Sequence, residues 1–312
     1  MSPALKLTDH PRLYIGPDQL ARLTDAPDEP MLAAAQKAFE DEARDYTRSA
    51  TFDWTPHTHN GHLIRARRLQ GRVVTLALRF IQTDDAKYRK ACLDHIRAMS
   101  QWDGWSWITW RQNNSEPKAI YDLSYGENSS TLAIIYDLLH DSLSKEEKRL
   151  FIGLAKRWSF ASFLHHTKPV KEPSGRAWWF GHPDSNWNTV CAGGAGMLAL
   201  AMAEEFADDA ATVLERVEKS IEPYMRAMDR YDGGWPEGIG YWNYGMRYAF
   251  MYLLSHEQAT GRPHELLRKR GTRRSLWFPL DFCPHGVPCS FGDVNHWSPL
   301  PFHYAVADKL KV

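Results

Sequence analysis

The sequence predicts an all-α fold, an incomplete α/α toroid built from antiparallel helix hairpins. Three observations carry this expectation. Apolar residues recur at helical spacing through most of the chain, as at Leu69, Val73, Leu76 and Phe80. Short turns alternate with long loops rich in Trp, Gly, Asn and Pro, so helices pair as hairpins and the loops gather at one end. No segment alternates apolar and polar residues long enough to make a strand.

The elements follow in order. A first helix is expected over 30–49 and a second over 61–82. A third, over 86–101, starts after Thr83-Asp-Asp85, which offers capping oxygens. Helices over 128–141 and 144–165 come next; Ser144-Lys-Glu-Glu147 is a capping box that fixes the second start. The helix over 188–206 is apolar and rich in small residues, so it belongs in the interior, and its Gly193-Gly-Ala-Gly196 reads as close packing. Helices over 209–230 and 241–260 complete the set, with Gly261 as the stop. From 276 to 312 Pro, Gly and Cys interrupt the periodicity, which makes a loop-rich end to a single domain over 1–312. The long loops fall at 50–60, 102–125, 166–187, 231–240 and 279–299.

Composition narrows the function. Lys plus Arg and Asp plus Glu number 38 each, so no global field draws the chain to nucleic acid or to a membrane. An acidic substrate needs a local basic patch. Tryptophan is abundant, at 13 residues, which suits either carbohydrate binding or a large helical core. The cysteines, Cys92, Cys191, Cys283 and Cys289, form no CxxC pair. Cys92 and Cys191 read as buried thiols, and Cys283 and Cys289 are close enough in sequence for a bridge to be open. The N-terminus lacks the apolar core of a signal peptide, and no apolar run reaches the length of a transmembrane helix.

Four segments carry candidate chemistry. Asp232-Gly-Gly-Trp-Pro-Glu-Gly-Ile-Gly-Tyr-Trp-Asn-Tyr244 supplies turn-forming glycines, two tryptophan faces (Trp235 and Trp242), and proton-transfer groups in Glu237, Tyr241 and Tyr244. It reads as a sugar-binding catalytic loop or as a packed turn. Gly181-His-Pro-Asp-Ser-Asn-Trp-Asn188 opens a helix, where Asn186 and Asn188 can meet a substrate carboxylate or simply cap. Phe291-Gly-Asp-Val-Asn-His296 has one Asp and one His, a weak metal signal, and a turn fits it better. His57-Thr-His-Asn-Gly-His62 precedes Arg65, Arg67 and Arg68. No acidic partner lies close, so this segment suits a groove whose arginines reach anionic sugar, or a solvated basic face. The GxSxG elbow, P-loop, dinucleotide fingerprint and HExxH are all missing.

In combination these segments resemble the heparinase II/III-like polysaccharide lyases, a group that includes alginate and oligoalginate lyases. The resemblance runs from His10-Pro-Arg-Leu-Tyr-Ile-Gly-Pro-Asp-Gln-Leu-Ala-Arg22, through Asp122-Leu-Ser-Tyr-Gly-Glu127 and Ile135-Tyr-Asp-Leu-Leu139, to Ser185-Asn-Trp-Asn-Thr-Val-Cys-Ala-Gly-Gly194, the Asp232–Tyr244 segment and Phe291-Gly-Asp293. It implies a toroid that in the family continues into a β-sandwich, and a periplasmic or secreted setting. It also implies β-elimination on a uronic-acid polysaccharide without a cofactor or catalytic metal. Asn186 then matches the group that neutralises the carboxylate, and Tyr241 the proton-transferring tyrosine, with Tyr244 as its neighbour.

The sequence departs from the family in two places. Trp187 stands where many relatives carry a histidine after the neutralising Asn, which leaves His182 or His296 to supply an imidazole. Val312 ends the chain where the family goes on, so it reads as a fragment or a divergent short form. Trp187, Asn188, Trp235, Glu237, Trp242, Arg247 and Arg65 are the expected substrate contacts, with Arg247 also stabilising a phenolate. Two other readings remain: a glycoside hydrolase using Asp232 and Glu237, or an inactive carbohydrate-binding relative.

Overall fold

The computed structural model describes residues 6–24, 29–52, 54, 60–108, 120–169, 177–289, 291–292 and 298–312. Every regular element among them is helical, and none is a strand. The N-terminal part holds α1 (Pro17–Ala21), α2 (Pro30–Tyr46), α3 (Gly61–Thr83) and α4 (Ala86–Ser100). Then come α5 (Leu123–Leu139) and α6 (Lys145–Leu154), the latter running through a π-helical turn, Ala155–Phe160, into α7 (Ala161–His166). The remaining long helices are α8 (Asn186–Ala201), α9 (Ala207–Arg230) and α10 (Ile239–Thr260). Four short ones close the chain: α11 (Glu265–Arg268), α12 (Arg270–Ser275), α13 (Phe278–Phe282) and α14 (Pro301–Leu310).

Several starts and stops follow the expected chemistry. Ser144 and Glu147 form the reciprocal capping box, with Ser144 N donating to Glu147 Oε2 at 2.8 Å and Glu147 N to Ser144 Oγ at 3.2 Å. Gly261 ends α10 in the left-handed conformation. The start near 128 needs correction. Asp122 accepts the N–H groups of Ser124 and Tyr125 at 3.0 and 3.4 Å, so α5 begins at Leu123. Ser124-Tyr-Gly126 has loop composition, but burial decides its state: every residue of α5 except Leu138 is buried. The expected loop-rich end also contains helix, in α13 and α14. Cys92, Cys191 and Cys283 are buried and Cys289 is exposed; all four thiols are free.

The packing is sequential. Helices α3, α5, α8 and α10 neighbour one another in that order, while α4 packs on α3, α9 on α8, and α12 on α9. Helix α8 lies between α5 and α10 and is buried along its whole length apart from Trp187. Backbones meet where glycines allow it. A Cβ on Gly194 would lie 2.0 Å from the Gly126 carbonyl oxygen, and one on Gly126 2.3 Å from that of Val190. Only glycine fits such a crossing. The crossing sits beside Glu127 and so fixes where that side chain enters the core. No helix is long and apolar enough to cross a membrane.

Candidate active site

A cleft of about 860 Å³ opens between α3, α5 and the first turns of α10. Its polar lining comes from Arg67 and Gln70 of α3 and from Tyr241, Asn243, Tyr244 and Arg247 of α10. Residues three and four apart on a helix share a face, so one face of α10 delivers two tyrosines and an arginine to the same opening. Gly238 makes this presentation possible. It takes φ 88° immediately before α10, where a Cβ would meet the Phe291 carbonyl oxygen at 2.6 Å.

Glu127 closes the floor. Its side chain is fully buried. Its Oε1 accepts the Tyr244 hydroxyl proton at 2.5 Å and the Arg67 Nε–H at 2.9 Å, and its Oε2 has no hydrogen-bond partner among the described residues. The Arg67 guanidinium also lies 4.8 Å from the Tyr244 ring centroid. Burial lifts the Tyr244 hydroxyl well above the ordinary phenol range, and the Glu127 charge adds to it; Arg67 opposes both without prevailing. Tyr244 is therefore protonated at neutral pH and suited to give a proton. Burial acts against the charges of Arg67 and Arg247, yet neighbouring Glu127 and tyrosines hold both above the ordinary arginine value.

Arg247 differs from Arg67, which pairs with Glu127. It lines the cleft 5.8 Å from the Tyr244 ring and 5.0 Å from the Tyr248 ring. Among the described residues it makes no ion pair. A partly buried guanidinium without a carboxylate is a ready acceptor of an anionic group. A row of aromatic side chains leads away from it. Trp107 and Trp187 line the cleft with ring centroids 5.9 Å apart, Trp178 lies 5.2 Å beyond Trp187, and His182 lies 5.9 Å beyond Trp178.

The structure brings Tyr241, Tyr244, Arg247 and Trp187 to this cleft and, among the described residues, leaves the other expected ones off its lining. Asn186 is buried beneath it: its backbone N–H and its amide nitrogen both donate to Glu237, at 2.9 and 3.1 Å. Glu237 is thereby committed to the start of α8, and it also accepts from the Trp235 indole at 3.2 Å. Asn188 is not a ligand group, because its amide is saturated: it donates to the His182 and Ser220 carbonyls and accepts from the Ser220 hydroxyl. Trp235 and Trp242 are core residues rather than sugar platforms. The first packs on Tyr224, and the second stacks on the His303 ring at 5.2 Å.

Arg65 is also displaced. Its guanidinium lies 3.7 Å over Trp102 and 4.3 Å over Trp54, on the far side of α3. Two residues along a helix turn the side chain by about 200°, so Arg67, not Arg65, faces the cleft. Asp232 pairs with Arg270 and Arg274 at the surface. His62 is buried against Trp54, while His57, Asp293 and His296 lie outside the described residues.

Sequence reasoning missed Glu127, Gln70 and the role of Arg67. The available signal for Glu127 was an acid embedded in a small and apolar run, just ahead of the helix expected from 128. No protein-family model matches this chain, and no curated protein matches it.

Proposed function

We propose that this protein is a polysaccharide lyase that cleaves a uronic-acid-containing chain by β-elimination in the cleft between α3, α5 and α10. The observation that carries the reading is Arg247, a cation that forms no ion pair among the described residues, beside two tyrosines in an open, tryptophan-edged cleft. The row of α3, α5, α8 and α10 backed by α4 and α9 supports an arc of an α/α toroid. This agrees with the resemblance to heparinase II/III-like lyases.

The chemistry divides among the residues as follows. Arg247, assisted by Gln70 and Asn243, neutralises the uronate carboxylate, which lets negative charge build up on the adjacent carbon. Tyr241 removes the C5 proton; the positive charge of Arg67 and Arg247 is what a phenolate there requires. The C5–H electron pair becomes the C4–C5 double bond as the C4–O bond breaks. Tyr244, kept protonated by burial and Glu127, gives its proton to the leaving oxygen. Trp187 and Trp107 hold neighbouring sugar rings. The carboxylate-neutralising role moves from Asn186 to Arg247, because the Asn186 amide is occupied by Glu237.

The test is product chemistry. Incubation with a panel of uronate polymers should give unsaturated sugars with new ultraviolet absorbance, and Tyr241→Phe should abolish it while binding persists. New reducing ends without that absorbance would indicate hydrolysis, and binding without products would indicate a carbohydrate-binding protein.

A further inference from the structure

Glu218, His256 and His264 converge where the middle of α9 faces the last turns of α10 and the turn after it. One candidate ligand atom from each lies within 4.8 Å of the others. Glu218 comes from the middle of α9, His256 from the end of α10, and His264 from the turn before α11. Nine residues of α10 separate Arg247 from His256, roughly 14 Å of helix. The cluster is therefore separate from the cleft.

Its parts are disposed as metal ligands with outer support. His264 Nε2 stands 3.1 Å from Glu218 Oε2, while Tyr252 donates its hydroxyl proton to Glu218 Oε1 at 2.5 Å. A hydrogen bond of that kind orients a ligating carboxylate. The His256 ring lies edge-on to His264, with centroids 4.8 Å apart, and its buried Nδ1 has no hydrogen-bond partner among the described residues. A buried nitrogen left in that state is costly, and a cation is one group that satisfies it.

We propose that Glu218, His256 and His264 bind one divalent transition-metal ion of the zinc type, with water as the fourth ligand, tying α9, α10 and the segment after it together. Two imidazoles and a carboxylate suit zinc. Tetrahedral bonds of about 2.0–2.2 Å place ligand atoms about 3.4 Å apart, so the side chains close by roughly 1 Å on binding. Binding moves the single His264 proton from Nε2, where it faces Glu218, to Nδ1 by way of solvent, which frees Nε2 to ligate and leaves the ring neutral. The 3.3 Å contact from the Leu266 N–H to Nδ1 is then given up. Protons compete with the metal, so affinity falls as pH falls.

The full chain, stripped with a chelator and titrated with zinc chloride, should take up one ion per molecule. Its thermal midpoint should rise by roughly 5 °C at zinc a hundredfold above Kd. Cobalt(II) in place of zinc should give the visible spectrum of a tetrahedral nitrogen–oxygen site. His256→Ala and Glu218→Gln should each weaken uptake by more than about 100-fold, beyond what loss of an outer partner costs, with unchanged circular dichroism. If His256→Ala does not fold, His256→Gln keeps the side-chain volume and polarity without the imidazole. Failure of the unaltered protein to take up stoichiometric metal overturns the proposal, as does uptake that survives these substitutions. None of these measurements depends on lyase activity.

Discussion

Tyr244 donates its hydroxyl proton to Glu127 across 2.5 Å, and Arg67 reaches the same carboxylate oxygen from 2.9 Å. The arrangement holds a protonated phenol at the cleft wall, with its partner acid wholly out of solvent. Tyr244→Phe removes the proton and one of the two donors to a buried carboxylate. Turnover should fall by about 10²–10⁴, the usual contribution of a positioned proton donor, with KM little changed. Stability should fall by ~1–3 kcal/mol, the cost of an under-satisfied buried acceptor. Ultraviolet product assays and thermal melts check the two separately. Full turnover with lowered stability would leave Tyr244 a structural role only.

Arg247 makes the opposite kind of prediction, because among the described residues it forms no ion pair with a carboxylate. Arg247→Ala should change stability by less than ~1 kcal/mol, as for an unpaired partly exposed side chain. Its effect should appear on an anionic substrate, with kcat/KM down by about 10²–10³, the loss expected for one charge-stabilising donor. Arg247→Lys should recover only part of this, since lysine lacks the planar two-pronged donor set. Equal loss on a neutral sugar polymer would argue against carboxylate recognition.

Asn186 and Glu237 form a bridge between the start of α8 and the loop before α10 rather than a reactive pair. Burial raises the Glu237 carboxyl above its ordinary range, opposed by the donors from Asn186 and Trp235. Asn186→Ala and Glu237→Gln should each lower stability by ~1–3 kcal/mol. The double variant should cost less than the sum, with a coupling of about 0.5–3 kcal/mol. Denaturant titration of the four proteins measures it. Strict additivity would mean that the bridge is not formed in solution.

These relationships show what the sequence could and could not reveal. Helical periodicity exposed most of the helices, and the glycines of Gly193-Gly-Ala-Gly196 marked the buried one. Local chemistry placed Ser144 and Gly261 correctly because a cap is decided within a few residues. The cleft is not local. Arg67 and Glu127 are 60 residues apart and meet only because α3 packs on α5. Trp235 and Trp242 illustrate the converse: aromatic residues beside catalytic candidates looked like sugar platforms, yet the core claimed them. A tryptophan face is chemically the same in either place, and only packing decides.

His62 gives a pH prediction. It is buried against Trp54, and desolvation, with the charge of Arg65 second, pushes its pKa from 6.5 down to about 4. Desolvation does the same to His303, also to about 4. The unfolded chain therefore takes up these protons near pH 6.5, and the folded chain only near pH 4. Between those values the unfolded state binds more protons, so stability rises with pH. The contribution is complete above pH 6.5 and is lost as pH falls toward 4. A shift of that size is worth at most ~3 kcal/mol per group, and solvent around a partly exposed ring such as His303 reduces it to ~1–2 kcal/mol. His62→Met, which keeps an apolar side chain of similar volume, should shrink the stability difference between pH 7 and pH 4 by ~1–3 kcal/mol. Urea titrations of both proteins across that range measure the slope. An unchanged slope in His62→Met would mean that His62 already protonates in the folded state at its ordinary pKa.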